Sequence, residues 1–307
     1  MKICIQTGDV VDELGFEEGY AAIAKAGFEA IDWNLDHAIS IADINAGKCE
    51  GNCIFEKDMD EIMAHYENEL SYIRKYNLEI SQMHAPFPCY VPGKPFVFEY
   101  MINVYKKMVL FCEKVGCKNL IVHGLTVPRN ERRLTMSEID AINDKLYTSL
   151  IPELRETNVT LCLENLFAGG GSGTISGICA DPREAVEMID VYNQIAGKEC
   201  FGFCLDTGHM NLVKQDPRKY IPIIGHRLKA LHIHDNSGGF DEHKAPYTGT
   251  IEWRDFYNTL KQIGYTGDLS FETFNQVRLS VIDKELVQPW LDLLATIGKH
   301  FRNKIQG

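Results

Sequence analysis

No apolar run in this chain approaches the roughly 18 residues that mark a membrane-spanning helix, so no membrane span is expected. The start, MKICIQTGDV, lacks the basic stretch and long apolar core of a secretory leader. A cytoplasmic location is therefore expected. Although the chain has ten cysteines, none form a Cys-x-x-Cys pair, which leaves a zinc ribbon without support. Cys4, Cys162 and Cys204 fall on apolar strand patterns and read as small buried hydrophobes of a reducing compartment. Cys49 and Cys53, in a polar loop, are the spacing that leaves a disulfide open. Positive charge is also scarce: 31 Lys and Arg stand against 43 Asp and Glu, for a net charge of −12, and no long basic run occurs. Such a chain repels a phosphate backbone unless it gathers its basic residues in one groove, so nucleic acid is disfavoured as a partner. No linker, charge block or low-complexity stretch divides the sequence, and 45% hydrophobic residues suffice for a sizeable core. One domain over residues 1–307 is expected.

What the chain has in quantity is short apolar strands. KICIQT (2–7), FEAIDWN (28–34), LEISQMHA (78–85), KNLIVHG (118–124), VTLCLEN (159–165), FGFCLD (201–206), LKALHIHD (228–235) and DLSFET (268–273) recur along its whole length. Helical stripes lie between them. Met59, Ile62, Met63, Tyr66, Leu70 and Ile73 form one, and Ile139, Ile142, Leu146, Leu150 and Leu154 form another. Trp253, Phe256, Leu260 and Ile263 form a third, with Gly264 as its C-terminal stop. Asp181-Pro182 and Asp216-Pro217 read as helix starts. Eight strands alternating with helices predict a closed α/β barrel, the (β/α)8 or TIM architecture. An open dinucleotide-binding sheet would carry Gly-x-Gly-x-x-Gly after its first strand, and GDVVDELG is not that motif. The run GGGSG (169–173), after the fifth strand, reads as a flexible loop or lid rather than a phosphate cradle, since no Lys-Ser/Thr follows it.

Chemistry in such a barrel collects where the strands end. Strand three ends in His84, strand four in His123, strand five in Glu164 and strand six in Asp206, with His209 one turn later. Strand seven carries His232, His234 and Asp235; the loop after it holds Asp241 and His243; strand eight ends in Glu272. Any one of these read alone is a hydrogen-bonded structural residue or a helix cap. Together they are different, because several carboxylates aimed at one mouth resist ionisation unless a cation neutralises them. Carboxylates mixed with imidazoles suit Mn²⁺, Zn²⁺, Co²⁺ or Fe²⁺ better than Mg²⁺. Trp33, Phe87, Tyr90 and Trp253 are candidates to wall a sugar pocket, with Trp253 equally readable as core.

MHAPFP, IVHG, LCLENL, CLDTGHMNL, LHIHDN and SFET, in this order on successive strands, resemble the xylose isomerase-like barrel superfamily. Within it the chain is similar to the sugar phosphate isomerase/epimerase group, which includes ketose 3-epimerases and inosose dehydratase and is related to endonuclease IV. The resemblance spans strands one to eight. It implies a divalent metal ion held by Glu164, Asp206, His232 and Glu272, with His209 contacting substrate or a second metal. His232 is taken over His234 for its spacing to Asp235. His84, His123, Asp241 and His243 match further ligands of the endonuclease IV three-metal site, so more than one ion is open. The chain departs from the ketose epimerases after strand seven. They carry His-x-x-Glu followed shortly by Arg; here the stretch is His232-Ile-His-Asp235 and no Arg follows before Arg254.

The expected activity is an isomerase or epimerase of a sugar-like hydroxycarbonyl compound. Metal-aided proton abstraction would give an enediolate, with Glu164 and Glu272 as the acid–base pair. A lyase uses the same parts. The partner is then a small sugar or polyol, and a homo-oligomer is compatible with this reading. A metal-dependent phosphoesterase of the endonuclease IV kind is the alternative, and a non-catalytic sugar-binding protein on the same fold is a third reading.

Overall fold

In the computed structural model, which describes residues 1–126, 134–170 and 173–307, eight parallel strands close into a barrel with helices around it. The strands are β1 (Ile3–Gln6), β2 (Ala30–Asn34), β3 (Glu79–His84), β4 (Asn119–Ile121), β5 (Thr160–Glu164), β6 (Phe201–Asp206), β7 (Leu228–His232) and β8 (Leu269–Phe271). Each pairs in parallel with the next, and β8 pairs with β1. Closure between β7 and β8 runs through Ile233, whose N–H donates to Ser270 O at 2.8 Å and whose carbonyl accepts from Glu272 N at 3.1 Å. The eight strand patterns in the sequence thus correspond to the barrel, and the architecture is the TIM fold.

The helical stripes also form, with one division. Met59–Lys75 is one helix, capped by Asp58, whose side chain accepts from Glu61 N. The stripe Ile139–Leu154 is split into Met136–Thr148 and Ile151–Arg155, since Pro152 cannot donate the amide that a continuous helix needs. Asp181 and Asp216 cap their helices as expected, accepting from Arg183 N and Arg218 N. The loop expected at GGGSG is a correction. Gly169 and Gly170 end a strand, Phe167–Gly170, that pairs antiparallel with Gly173–Ser176. Gly171 and Ser172 of that run lie outside the described residues.

Alternation along the strands positions the site. Outward side chains such as Leu120, Leu161, Leu163, Phe203 and Leu231 join the core under the helices. Inward ones form a small separate layer of Ile121, Cys162, Cys204 and Ala230. Two residues further along each of these strands come His123, Glu164, Asp206 and His232, which the period of two places on the same inward side. The compact lower layer leaves the barrel closed beneath the donors. All ten cysteines are free and buried, Cys49 and Cys53 included. No described helix is long and apolar enough to cross a membrane.

Candidate metal centre

His232, fully buried at the end of β7, turns its Nδ1 toward three carboxylates. It lies 3.4 Å from Glu164 Oε1, 3.5 Å from Glu272 Oε2 and 4.0 Å from Asp206 Oδ2. This nitrogen has no hydrogen-bond partner among the described residues. Glu164, Asp206 and Glu272 are themselves buried. Two like charges about 4 Å apart repel by roughly 4 kcal/mol even at an effective dielectric of 20. Three carboxylates with one imidazole, drawn from four strands, therefore fit a divalent cation, and the orphaned Nδ1 is where an imidazole ligand would bind one.

The neighbouring donors are placed with equal economy. His123 Nε2 is 2.9 Å from Glu164 Oε2 and 3.0 Å from His84 Nε2, so Glu164 has a pair of imidazoles on one side. On its other oxygen, His209 Nδ1 is 3.2 Å away. Asp241 Oδ2 lies 3.3 Å from His209 Nε2 and 3.1 Å from His243 Nε2. Three donor groups hence lie side by side: His84 and His123 with Glu164; the four-residue centre; and His209, Asp241 and His243. Donor atoms close enough to hold an ion are found in His84, His123 and Glu164; in Asp206, His232 and Glu272; and, with His234 joining the third set, in His234, Asp241 and His243.

Local sequence explains how these side chains are held. Asp206 caps the short helix Thr207–Leu212, its Oδ1 accepting from His209 N at 2.6 Å. Asn165 fastens the ends of β5 and β6 reciprocally, donating to Asp206 O and accepting from Asp206 N, both at 2.8 Å. Gly208 is required by close approach: a Cβ there would meet His234 Cε1 at 1.9 Å. That ring bridges both oxygens of Asp206, at 3.0 and 2.9 Å from Nε2. The sequence Asp-Thr-Gly-His thus supplies a candidate ligand, a turn, a gap for His234 and a second donor group.

Not every expected residue faces the mouth. Trp33 is fully buried on the outside of β2, where Nε1 donates to Glu69 Oε1 at 3.0 Å and the ring packs on Tyr66 and Phe111. It does not wall a pocket; strand alternation turns Asp32, its neighbour, inward instead. Trp253 is core, stacked on Phe301, with Nε1 donating to Asp235 Oδ2 at 2.9 Å. Asp235 is accordingly a clamp for the loop after β7, accepting also from Tyr247 N and Ile251 N. Tyr90 packs on Phe98. Phe87 does lie at the mouth, its ring centroid 4.8 Å from that of His123 and 5.7 Å from that of His84. A second aromatic, missed from sequence, is Phe167, whose ring centroid lies 5.0 Å from that of His209; it opens the strand Phe167–Gly170 that follows β5. Gln6 was also missed. Its Nε2 donates to Glu272 Oε1 at 3.2 Å.

Burial pushes every carboxyl here toward its neutral form, and the imidazoles decide which resist. Burial raises Glu164, but His232, His123 and His209 outweigh it and hold the group well below its ordinary value. Burial of Glu272 prevails over the pull of His232 and His243 and raises it to about 8. His209 and His232 are raised well above the ordinary imidazole value: burial disfavours their charge, but the surrounding acids prevail. His243 is raised to about 9, where Asp241 outweighs burial. Ligation needs the imidazoles neutral and the carboxylates ionised, so a metal must displace these protons. Raised values mean the protons are present below them and lost above them. Metal affinity should consequently climb as pH rises through about 8 to 9, with protons released on binding. Calorimetry in buffers of different ionisation enthalpy measures both; an affinity flat across that range, without proton release, would contradict this charge arrangement.

The model of the family described as xylose isomerase-like TIM barrel matches residues 20–296. The protein y4fM of Sinorhizobium fredii is 36% identical over 272 residues, which are 84% of this chain and 81% of that protein. A probable endonuclease 4 of Staphylococcus carnosus is 24% identical over 246 residues, 76% of this chain and 72% of that one. Among solved structures, D-psicose 3-epimerase in the presence of D-fructose superposes with a TM-score of 0.68 at 16% identity, covering 100% of both chains.

Proposed function

The chain belongs to the xylose isomerase-like TIM-barrel family, and on that premise we propose a divalent-metal-dependent isomerase or epimerase, or a lyase with the same first step, acting on a sugar or sugar-like hydroxycarbonyl compound. The observation that carries this reading is the buried, unpartnered Nδ1 of His232 facing Glu164, Asp206 and Glu272 from three other strands. These four residues would hold one ion, of the Mn²⁺, Zn²⁺ or Co²⁺ type. When bound, the ion supplies Lewis acidity, polarising the substrate carbonyl and lowering the cost of an enediolate.

The remaining work falls to side chains of this chain. Glu164, buried at the centre beside His232, is suited by position to take a carbon-bound proton through the oxygen it does not use for ligation. Glu272, which reaches the centre from another strand, is suited to return one through the oxygen it does not use for ligation. Each carboxylate that ligates through one oxygen keeps the other for proton transfer. Gln6 steadies Glu272 through Oε1, which leaves Oε2 on the His232 side. His209, fixed by Asn165 O at 3.0 Å, presents its other nitrogen toward Asp241 and is placed to orient a substrate hydroxyl. Phe87 and Phe167 offer apolar faces at the rim for the C–H side of a sugar ring. The relatedness of the fold to D-psicose 3-epimerase supports the same substrate class.

One specific observation favours a second reading. His84 with His123, and His209 with Asp241 and His243, extend the four-residue centre on both sides, as a three-metal phosphoesterase requires. The likeness to endonuclease 4 supports it. Metal analysis of the purified protein separates the two. One equivalent of a manganese-like ion, with conversion of a sugar lost on chelation and regained on adding metal, is the expected result. Three equivalents of zinc with cleavage of a phosphodiester would overturn it. Binding to duplex DNA with an abasic site should be weak or absent at physiological salt, given a charge of −12 and no basic run. A tight, salt-sensitive complex in a filter-binding or fluorescence assay would reverse the ranking.

A further inference from the structure

Resting on the four-residue centre assigned above, we propose that Asp32 is a positioning residue that fixes the ring of His232, holding its proton on Nε2 and leaving Nδ1 to face the ion. Asp32 sits on β2, facing inward, and is fully buried. Strands β2 and β7 are not neighbours in the barrel, so the carboxylate reaches His232 across its interior. Asp32 Oδ2 lies 3.1 Å from His232 Nε2, within ion-pair distance but off the line of the ring N–H. The same oxygen accepts from Gln82 Nε2 at 2.7 Å and from Ser270 Oγ at 3.5 Å. Gln82 Nε2 also donates to Leu231 O at 3.2 Å, the residue before His232 in β7. The support thus grips both the acid and the strand it serves.

A buried carboxylate is costly to keep, and Asp32 has little else to justify it. Its Oδ1 has no partner among the described residues, and His232 is the one basic group there within ion-pair distance. An apolar residue would suit the barrel layer better if packing were the only demand. A carboxylate on one ring nitrogen fixes which nitrogen carries the proton and so which one can ligate. Stacking of His84 on His232, 5.7 Å between centroids and 27° between planes, restricts the ring's tilt, and Asp32 supplies the direction.

The test uses the full chain, stripped of metal and titrated with Zn²⁺. Asp32→Asn should weaken zinc binding about 10- to 100-fold, with the melting temperature of the metal-free protein little changed. In ¹⁵N-histidine-labelled wild type, His232 should show Nε2 protonated and Nδ1 ligated on adding zinc; in Asp32→Asn this preference should be lost. Should Asp32→Asn fail to fold, Gln82→Ala keeps the question open to measurement, and a several-fold loss of zinc affinity is expected. A merely structural Asp32 would lower stability and leave zinc affinity as it was, and that result, or ligation through Nε2, overturns the inference alone. Wild-type protein that binds no zinc overturns the metal centre and this inference with it.

Discussion

Glu164→Gln and Glu272→Gln should each lower turnover about 10²- to 10⁴-fold, the range spanned by general acid–base groups. Glutamine keeps the length and shape of the side chain, and both positions are nearly sealed from solvent, so packing changes little. What disappears is the charge and the exchangeable proton. At Glu164 the loss is compounded, because ring nitrogens of His123, His209 and His232 all lie against that carboxylate. At Glu272 the amide can still meet Gln6 but cannot carry a proton to and fro. Each residue is also assigned as a ligand, so turnover is read at saturating metal with the bound metal counted in the same sample. Loss of rate with metal retained assigns proton transfer; loss of both assigns ligation. Near wild-type rates in both variants would remove the two carboxylates from the chemistry.

Much of the site was legible because barrel strands end in a mouth. Eight apolar strands, six of them closing on His, Asp or Glu, are a pattern that order along the chain preserves and that folding only gathers. Glu164, Asp206, His232, Glu272, His84, His123, His209, Asp241 and His243 do lie together. The errors came from side-chain direction, where one residue along a strand reverses the face. Trp33 and Asp32 are adjacent; the indole faces the helices and the acid faces His232. Alternation from Ala30 could have revealed this, but an aromatic near a strand end invited a sugar-binding reading. Asp235 illustrates the converse: its place after His232 suggested a site residue, yet its oxygens are spent on Trp253 and the backbone of the following loop. Gln6 and Phe167 had no pattern to mark them. Gln6 matters through a contact with Glu272, 266 residues away. Phe167 depends on a hairpin that its glycine-rich sequence disguised as a loop.

The second large effect is isotopic. Proton abstraction by Glu164 or Glu272 places the substrate's hydrogen on a carboxyl at the barrel mouth, where it can trade with solvent before it is returned. A carboxylate that is also a ligand is a weak base, so the transfer must use its free oxygen, and the proton resides there long enough to exchange. In deuterated water, with metal present and a sugar the protein converts, mass spectrometry of the product should show one deuterium at the reacting carbon. The recovered substrate should gain label there too whenever the step reverses. The label should vanish in Glu164→Gln and Glu272→Gln along with turnover. Conversion of the sugar with no deuterium incorporated would mean that hydrogen moves directly between carbons, leaving both glutamates as ligands only. Phosphodiester hydrolysis, with no carbon-bound exchange in any sugar tested, would contradict the account outright.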